Sequence, residues 1–147
     1  ALLDAAKKAN VTILYPQDVV VSGDTDTLDT VRVAGIAQIR PHEQIVDIGP
    51  KTRALFMQAV KASSSVYWNG PLGRYEYRSG IEGTAEVGAC IAQYPRYSLV
   101  GGGDTLACLH RLSIDGFSHV STGGGAFLYF FAHHSSPVLE AMEQEYV

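Results

Sequence analysis

An α/β fold with a parallel sheet and crossover helices is what this sequence predicts, and three observations carry the prediction. Short β-branched runs alternate with stretches of helical periodicity. Three successive strand-to-helix junctions in the second half are glycine-rich. The composition suits a packed core, with 46% apolar and 18% charged residues in 147. Glycine supplies fifteen residues, and twelve of them fall between Gly70 and Gly125. Clustering of that kind marks loops where backbone must pass close to something.

The elements follow in order. Residues 1–9 read as an amphipathic helix. Val11 to Leu14 and Val19 to Val21 are β-branched runs separated by Pro16 and are expected as strands. Residues 22–31 are rich in turn formers and predict a surface loop. Val31 to Ala34 and Ile45 to Ile48 read as strands, and Gly49-Pro50 opens a helix to about Ala62, with proline where a helix start tolerates it. Three similar units come next. Ser65 to Trp68 is a strand followed by Gly70-Pro71-Leu72-Gly73 and a helix near 81–94. Ser98 to Val100 leads into Gly101-Gly102-Gly103 and a helix from Asp104 to about Leu112. Phe117 to Val120 leads into Gly123-Gly124-Gly125 and a helix near 126–132. A last helix covers 137–145. Strand, glycine loop and helix in repetition predict parallel strands with right-handed crossovers. No linker interrupts the pattern, so residues 1–147 are expected as a single domain.

Charge and cysteine usage exclude several classes of function. The net charge of −4 argues against nucleic acid, whose recognition needs a basic face. No apolar run is long enough to span a bilayer, so no membrane association is expected. Cys90 and Cys108 lie in apolar helical patterns without a C-x-x-C. They are expected as reduced, buried thiols in a cytoplasmic protein rather than a disulfide framework or zinc site.

The glycine loops carry the functional signal. In a parallel α/β sheet the strand-to-helix turns share the carboxyl edge, where ligands bind. Free backbone N–H groups and the positive ends of the helices point there, which makes a site for an anion such as phosphate. The four lysines, Lys7, Lys8, Lys51 and Lys61, all lie outside the glycine loops. Neither G-x-x-x-x-G-K-[S/T] nor G-x-G-x-x-G is present, so any phosphate is expected to be held by backbone and metal, or by a cation from elsewhere. Asp104, directly after a glycine triplet, suits Mg²⁺, which takes a single carboxylate together with phosphate oxygens and water. The same residue equally suits a helix N-cap. Glu76 is either a carboxylate for ribose hydroxyls or a solvated loop charge. Trp68 reads as core rather than a stacking platform. His119, flanked by serines but without a G-x-S-x-G elbow, reads as a structural histidine.

Taken together, Trp68-Asn69-Gly70-Pro71-Leu72-Gly73 with Glu76, Val100-Gly101-Gly102-Gly103-Asp104-Thr105, and Phe117-Ser118-His119-Val120-Ser121-Thr122-Gly123-Gly124-Gly125-Ala126 closely resemble the phosphoglycerate kinase family. Asp47-Ile48-Gly49-Pro50-Lys51-Thr52 and Leu14-x-Pro16-x-Asp18 agree with it in order and spacing. The resemblance covers nearly the whole chain and matches the latter part of that family's C-terminal domain. It implies a Rossmann-like nucleotide-binding domain, an incomplete three-layer α/β/α arrangement. It also implies reversible phosphoryl transfer between ATP and 3-phosphoglycerate in glycolysis, with Mg²⁺ and without a covalent enzyme intermediate.

By resemblance, Glu76 would bind ribose, and Gly70, Leu72 and Tyr75 would line the nucleotide pocket. Gly102, Gly103 and Thr105 would hold phosphates, and Asp104 the Mg²⁺. The amides of Gly123, Gly124 and Gly125 would face the phosphoryl group in transfer. The family's N-terminal domain, which binds 3-phosphoglycerate, has no counterpart in these residues, nor has the family's glycine–lysine segment. The chain is therefore expected to be a fragment, a truncated reading frame or half of a split enzyme, inactive alone and completed by an N-terminal half. A nucleotide-binding module without chemistry, or a degenerate fragment acting through an exposed sheet edge, are the rival readings. Three positions depart from the family pattern. Ile45 stands where the family has a glycine against the adenine and is expected to narrow the pocket, Arg74 replaces a small apolar residue and is expected to reach phosphate or solvent, and Phe127 replaces a serine.

Overall fold

The computed structural model describes residues 1–24, 27, 28 and 30–145. The chain divides into two compact units. One comprises Ala1–Ala59 with Leu72–Val87, the other Val60–Pro71 with the residues from Gly88 onward.

The first unit begins with helix α1 (Leu2–Lys8) and is built on a three-stranded sheet of β1 (Asp18–Ser22), β2 (Val31–Gly35) and β3 (Gln44–Ile48) in the order β2-β1-β3. Both pairings are antiparallel, with Val20 opposite Val33 and Val21 opposite Ile45. Strand–helix alternation does not encode this direction. Val19, Val21 and Ala34 are at most 2% exposed, and Ile39 packs against them. Val19 and Val21 share a face because side chains alternate along a strand.

Val11 to Leu14, expected as a strand, is irregular and exposed. Asn10 leaves α1 at φ 53°, and β1 already has β2 and β3 on its two edges. A β-branched run without a pairing partner has nothing to complete its backbone hydrogen bonds as a strand.

Helix α2 (Pro50–Ala62) starts at the expected proline, and its N-terminus is capped from β1. The backbone N–H groups of Lys51 and Thr52 donate to the Asp18 carboxylate at 3.1 and 2.8 Å. The Thr52 hydroxyl accepts the N–H groups of Gln17 and Asp18. A Cβ on Gly49 would lie 2.3 Å from Asp18 Cγ, so glycine is required for this approach. Burial alone would raise the Asp18 pKa, but hydrogen bonds from Thr52 and Lys51 outweigh it and hold the carboxyl below its ordinary value.

The second unit contains the parallel sheet that the repeated pattern predicts. Strands β4 (Ser65–Asn69), β5 (Tyr97–Gly101) and β6 (His119–Ser121) lie in that order. Trp68 pairs with Val100, and Val100 with Val120. Helices α3 (Glu82–Gln93), α4 (Gly103–Arg111), α5 (Gly124–His133) and α6 (Pro137–Glu145) follow the expected positions within a few residues. Leu99, Val100, Cys108 and Leu109 are buried. Cys90 and Cys108 are buried and not joined in a disulfide, as expected. His119 is exposed, because β6 forms an edge of the sheet.

Candidate functional site

The register of the parallel sheet brings Asn69, Gly101 and Ser121 into one row at the strand ends. Beyond that row the glycine loops converge. Gly70 and Gly102 both turn at φ 99°, the left-handed region that favours glycine. The Gly70 N–H donates to the Thr105 hydroxyl at 2.8 Å, and the Gly102 N–H to Ser121 O at 3.3 Å. A Cβ on Gly102 would lie 2.5 Å from Asn69 Oδ1. One on Gly124 would lie 2.8 Å from both Asn69 Oδ1 and Gly102 Cα. Two helix starts therefore meet around the Asn69 side chain.

Gly102 is the N-cap of α4 and Gly123 that of α5. The first-turn N–H groups of a helix have no intrahelical acceptors. Gly103, Asp104 and Thr105 on one helix, and Gly124, Gly125 and Ala126 on the other, thus form a double cradle of backbone donors at two positive dipole ends.

The glycines fall into two groups. Gly102 and Gly124 are required by packing. Gly103 and Gly125 have open space where a Cβ would stand and do not have positive φ. Both occupy the first turn of a helix, where glycine gives up more backbone freedom than alanine would. Among the described residues neither packing nor backbone conformation accounts for them.

The Gly70 loop departs from expectation, since it does not open a helix directly. Residues 70–81 form turns and a 3₁₀ turn at Arg78–Gly80, and α3 starts at Glu82. The part from Leu72 onward belongs to the first unit. There the Leu72 N–H donates to the buried Thr84 hydroxyl at 2.9 Å, Tyr75 is half-buried and Glu76 is exposed. Leu72 lines a cavity of about 510 Å³ whose walls include Tyr15, Ile36, Ile45 and Asp47. Ile45 is half-exposed and forms a wall of this cavity. Arg74 donates from Nη1 to Gln44 Oε1 at 2.8 Å, an engagement its sequence position did not suggest. The side chain of Phe127 lies outside the described residues.

Asp104 is exposed in the first turn of α4 and is not its N-cap. That position falls to Gly102, because the chain must turn there with positive φ. Among the described residues no three His, Cys, Asp or Glu side chains cluster as metal ligands. A single accessible carboxylate beside a cradle of N–H groups matches the donor set of a cation that Asp104 and phosphate oxygens share, which is how Mg²⁺ is usually held. Thr105 is fully buried, and its hydroxyl is committed to Gly70. Trp68 is buried and donates from Nε1 to Gly70 O at 2.7 Å, as a core residue rather than a platform.

Two residues escaped the sequence reading as parts of this machinery. Asn69 was legible as the polar end of an apolar strand before a glycine, but its contacts with two distant loops were not. Asp47 stood in a recognisable motif, while its partners lie in residues 73–83.

Comparison with known proteins agrees with this fold. The sequence profile of the family described as phosphoglycerate kinase matches residues 1–134. A phosphoglycerate kinase of Nitratidesulfovibrio vulgaris (strain DSM 19637 / Miyazaki F) is 35% identical over 144 residues, covering 97% of this chain and 37% of the relative. Phosphoglycerate kinase from Coxiella burnetii superposes with a TM-score of 0.87 at 34% identity, over 97% of this chain and 37% of that one. The Pyrococcus horikoshii OT3 enzyme gives 0.78 at 33% identity, over 99% and 38%. The chain thus spans little more than a third of the length of these relatives, and it belongs to the phosphoglycerate kinase family.

Proposed function

We propose that this chain is the latter part of the nucleotide-binding domain of a cytoplasmic phosphoglycerate kinase and holds the phosphates of MgADP or MgATP. Gly103 and Gly125 carry this reading. Folding disfavours glycine at both positions and packing does not require it, so the requirement is external: an anion that the backbone must approach without an intervening Cβ. The Gly103 and Thr105 N–H groups serve the phosphates, with Gly102 turning the backbone toward them, and the amides of Gly123, Gly124 and Gly125 serve the phosphoryl group in transfer. Fixed N–H donors of this kind stabilise spreading charge without reorganising. Gly70, Leu72 and Tyr75 line the nucleotide pocket, and Glu76 accepts from ribose hydroxyls.

Asp104 holds Mg²⁺, which when bound neutralises charge on the phosphate oxygens. The acceptor in the reaction is 3-phosphoglycerate, whose binding falls to an N-terminal domain. The 147-residue chain alone is expected to bind nucleotide without turnover.

A thermal melt tests this reading. MgADP at about 100 times its dissociation constant should stabilise the fold by ~2.7 kcal/mol, and chelation or Asp104→Ala should abolish the shift. A cooperatively folded sample that MgADP does not stabilise overturns the reading.

A further inference from the structure

We propose that Asp47 is a latch for the 73–83 loop and thereby the positioning residue for Glu76, an inference that rests on the nucleotide-binding reading above. Asp47 is 1% exposed at the end of β3. Its Oδ2 accepts the Gly83 N–H at 2.7 Å and its Oδ1 the Ile48 N–H at 2.8 Å. The carboxylate thus ties the strand end to the first turn of α3.

The other end of the loop closes on the same carboxylate. A Cβ on Gly73 would lie 2.5 Å from Asp47 Oδ1, and one on Gly83 2.3 Å from it. Both stems of the loop are therefore glycine where they touch Asp47. Between the stems the loop is compact. The Arg74 N–H donates to Val46 O, the Tyr77 N–H to Arg74 O and the Gly80 N–H to Tyr77 O. A Cβ on Gly73 would also lie 2.5 Å from Gly80 O, so the stem is pinched as in other packed surface loops. Ser79 Oγ adds a tie to Leu28 O. Glu76 stands exposed on this loop. The stem fixes where its backbone lies.

The environment makes the latch dependent on charge. Burial pushes the Asp47 carboxyl above its ordinary value, opposed by the two backbone hydrogen bonds and by Arg53, while Glu82 adds to the rise. Arg53 itself is fixed by Glu82 and Glu86. An ionised Asp47 accepts from two N–H groups at once. An asparagine in its place turns an amide donor toward one of them, so the stem loses one bond while its shape is kept.

The test is Asp47→Asn in the 147-residue chain, with two readouts. Hydrogen exchange of the loop amides, Arg74, Tyr77, Gly80 and Gly83, should accelerate about tenfold or more, while β1 and β2 stay protected. The dissociation constant for MgADP should rise about tenfold, while that for Mg-pyrophosphate stays within a factor of two, since pyrophosphate needs only the α4 and α5 cradle. Unchanged loop exchange overturns the latch. Equal losses for MgADP and Mg-pyrophosphate also overturn it, because they indicate general destabilisation. If the unaltered chain binds neither ligand, the nucleotide reading fails, and loop exchange still decides the latch. Should Asp47→Asn not fold, native-state exchange of the unaltered chain decides it instead. The four amides must then open as one unit, and independent opening overturns the proposal.

Discussion

The Thr105 hydroxyl accepts the Gly70 N–H at 2.8 Å, so the first turn of α4 is pinned to the end of β4 across thirty-five residues of chain. Thr105 is fully buried, and the Gly70 N–H depends on it. Thr105→Val keeps the shape and removes the acceptor. It is expected to cost about 1–3 kcal/mol in urea unfolding, the usual penalty for a buried donor left unpaired. No loss of stability would show that Gly70 finds water instead.

The two groups of glycine predict opposite outcomes. Gly124→Ala places a methyl 2.8 Å from Asn69 Oδ1 and from Gly102 Cα, where backbone must yield. It should destabilise by about 1–3 kcal/mol. Gly125→Ala meets open space and should stabilise α5 by up to ~1 kcal/mol, yet weaken MgADP binding. Paired melts and titrations separate the two effects. A Gly125→Ala chain that binds MgADP normally would remove the main support for the phosphate cradle.

Trp68 is the one tryptophan in the sequence. It is 7% exposed and donates to Gly70 O. Its emission should be blue-shifted in the native chain and should change when MgADP is added, since it is bonded to Gly70, which lines the proposed nucleotide pocket. Trp68→Phe should cost about 1–3 kcal/mol through the unpaired Gly70 carbonyl. A red-shifted native spectrum would contradict the burial of the indole.

Acid should weaken the first unit in a defined window. Arg32 donates from Nε and Nη2 to the two Glu43 oxygens at 2.8 and 2.7 Å. This pairing, with the Arg40 N–H, holds the Glu43 carboxyl down from 4.5 to about 2. A folded value below the unfolded one stabilises fully above pH 4.5, and the gain is lost as pH falls toward 2. Asp18, also lowered, loses its contribution below its ordinary value of 3.8 in the same direction. Urea midpoints should fall between pH 5 and 2.5, and Arg32→Gln should flatten that fall. A midpoint that does not move over this range would exclude both couplings.

Much of the fold is readable from particular residues. Pro50 after Gly49 marks the start of α2, and the β-branched run Val19 to Val21 marks β1. The three strand–glycine–helix units predict the parallel pairing seen among β4, β5 and β6. These features are local, since periodicity, proline and glycine act within a few residues. Val11 to Leu14 misled because strand propensity is satisfied only by a neighbour, and that neighbour is chosen by the sheet. Of the two roles open to Asp104, the N-cap falls to Gly102 instead, because the cap depends on where the backbone turns.

The sequence by itself determined the elements, the carboxyl-edge glycine loops and the family to which they belong. Tertiary structure alone decided which glycines are forced by packing, Gly102 and Gly124 against Asn69, and which stand open, Gly103 and Gly125. It also decided that Asp47 closes the stem of the loop that bears Glu76. The physical reason is that a glycine's sequence records the absence of a side chain but not what fills the space. That space is set by residues dozens of positions away, brought together by strand register.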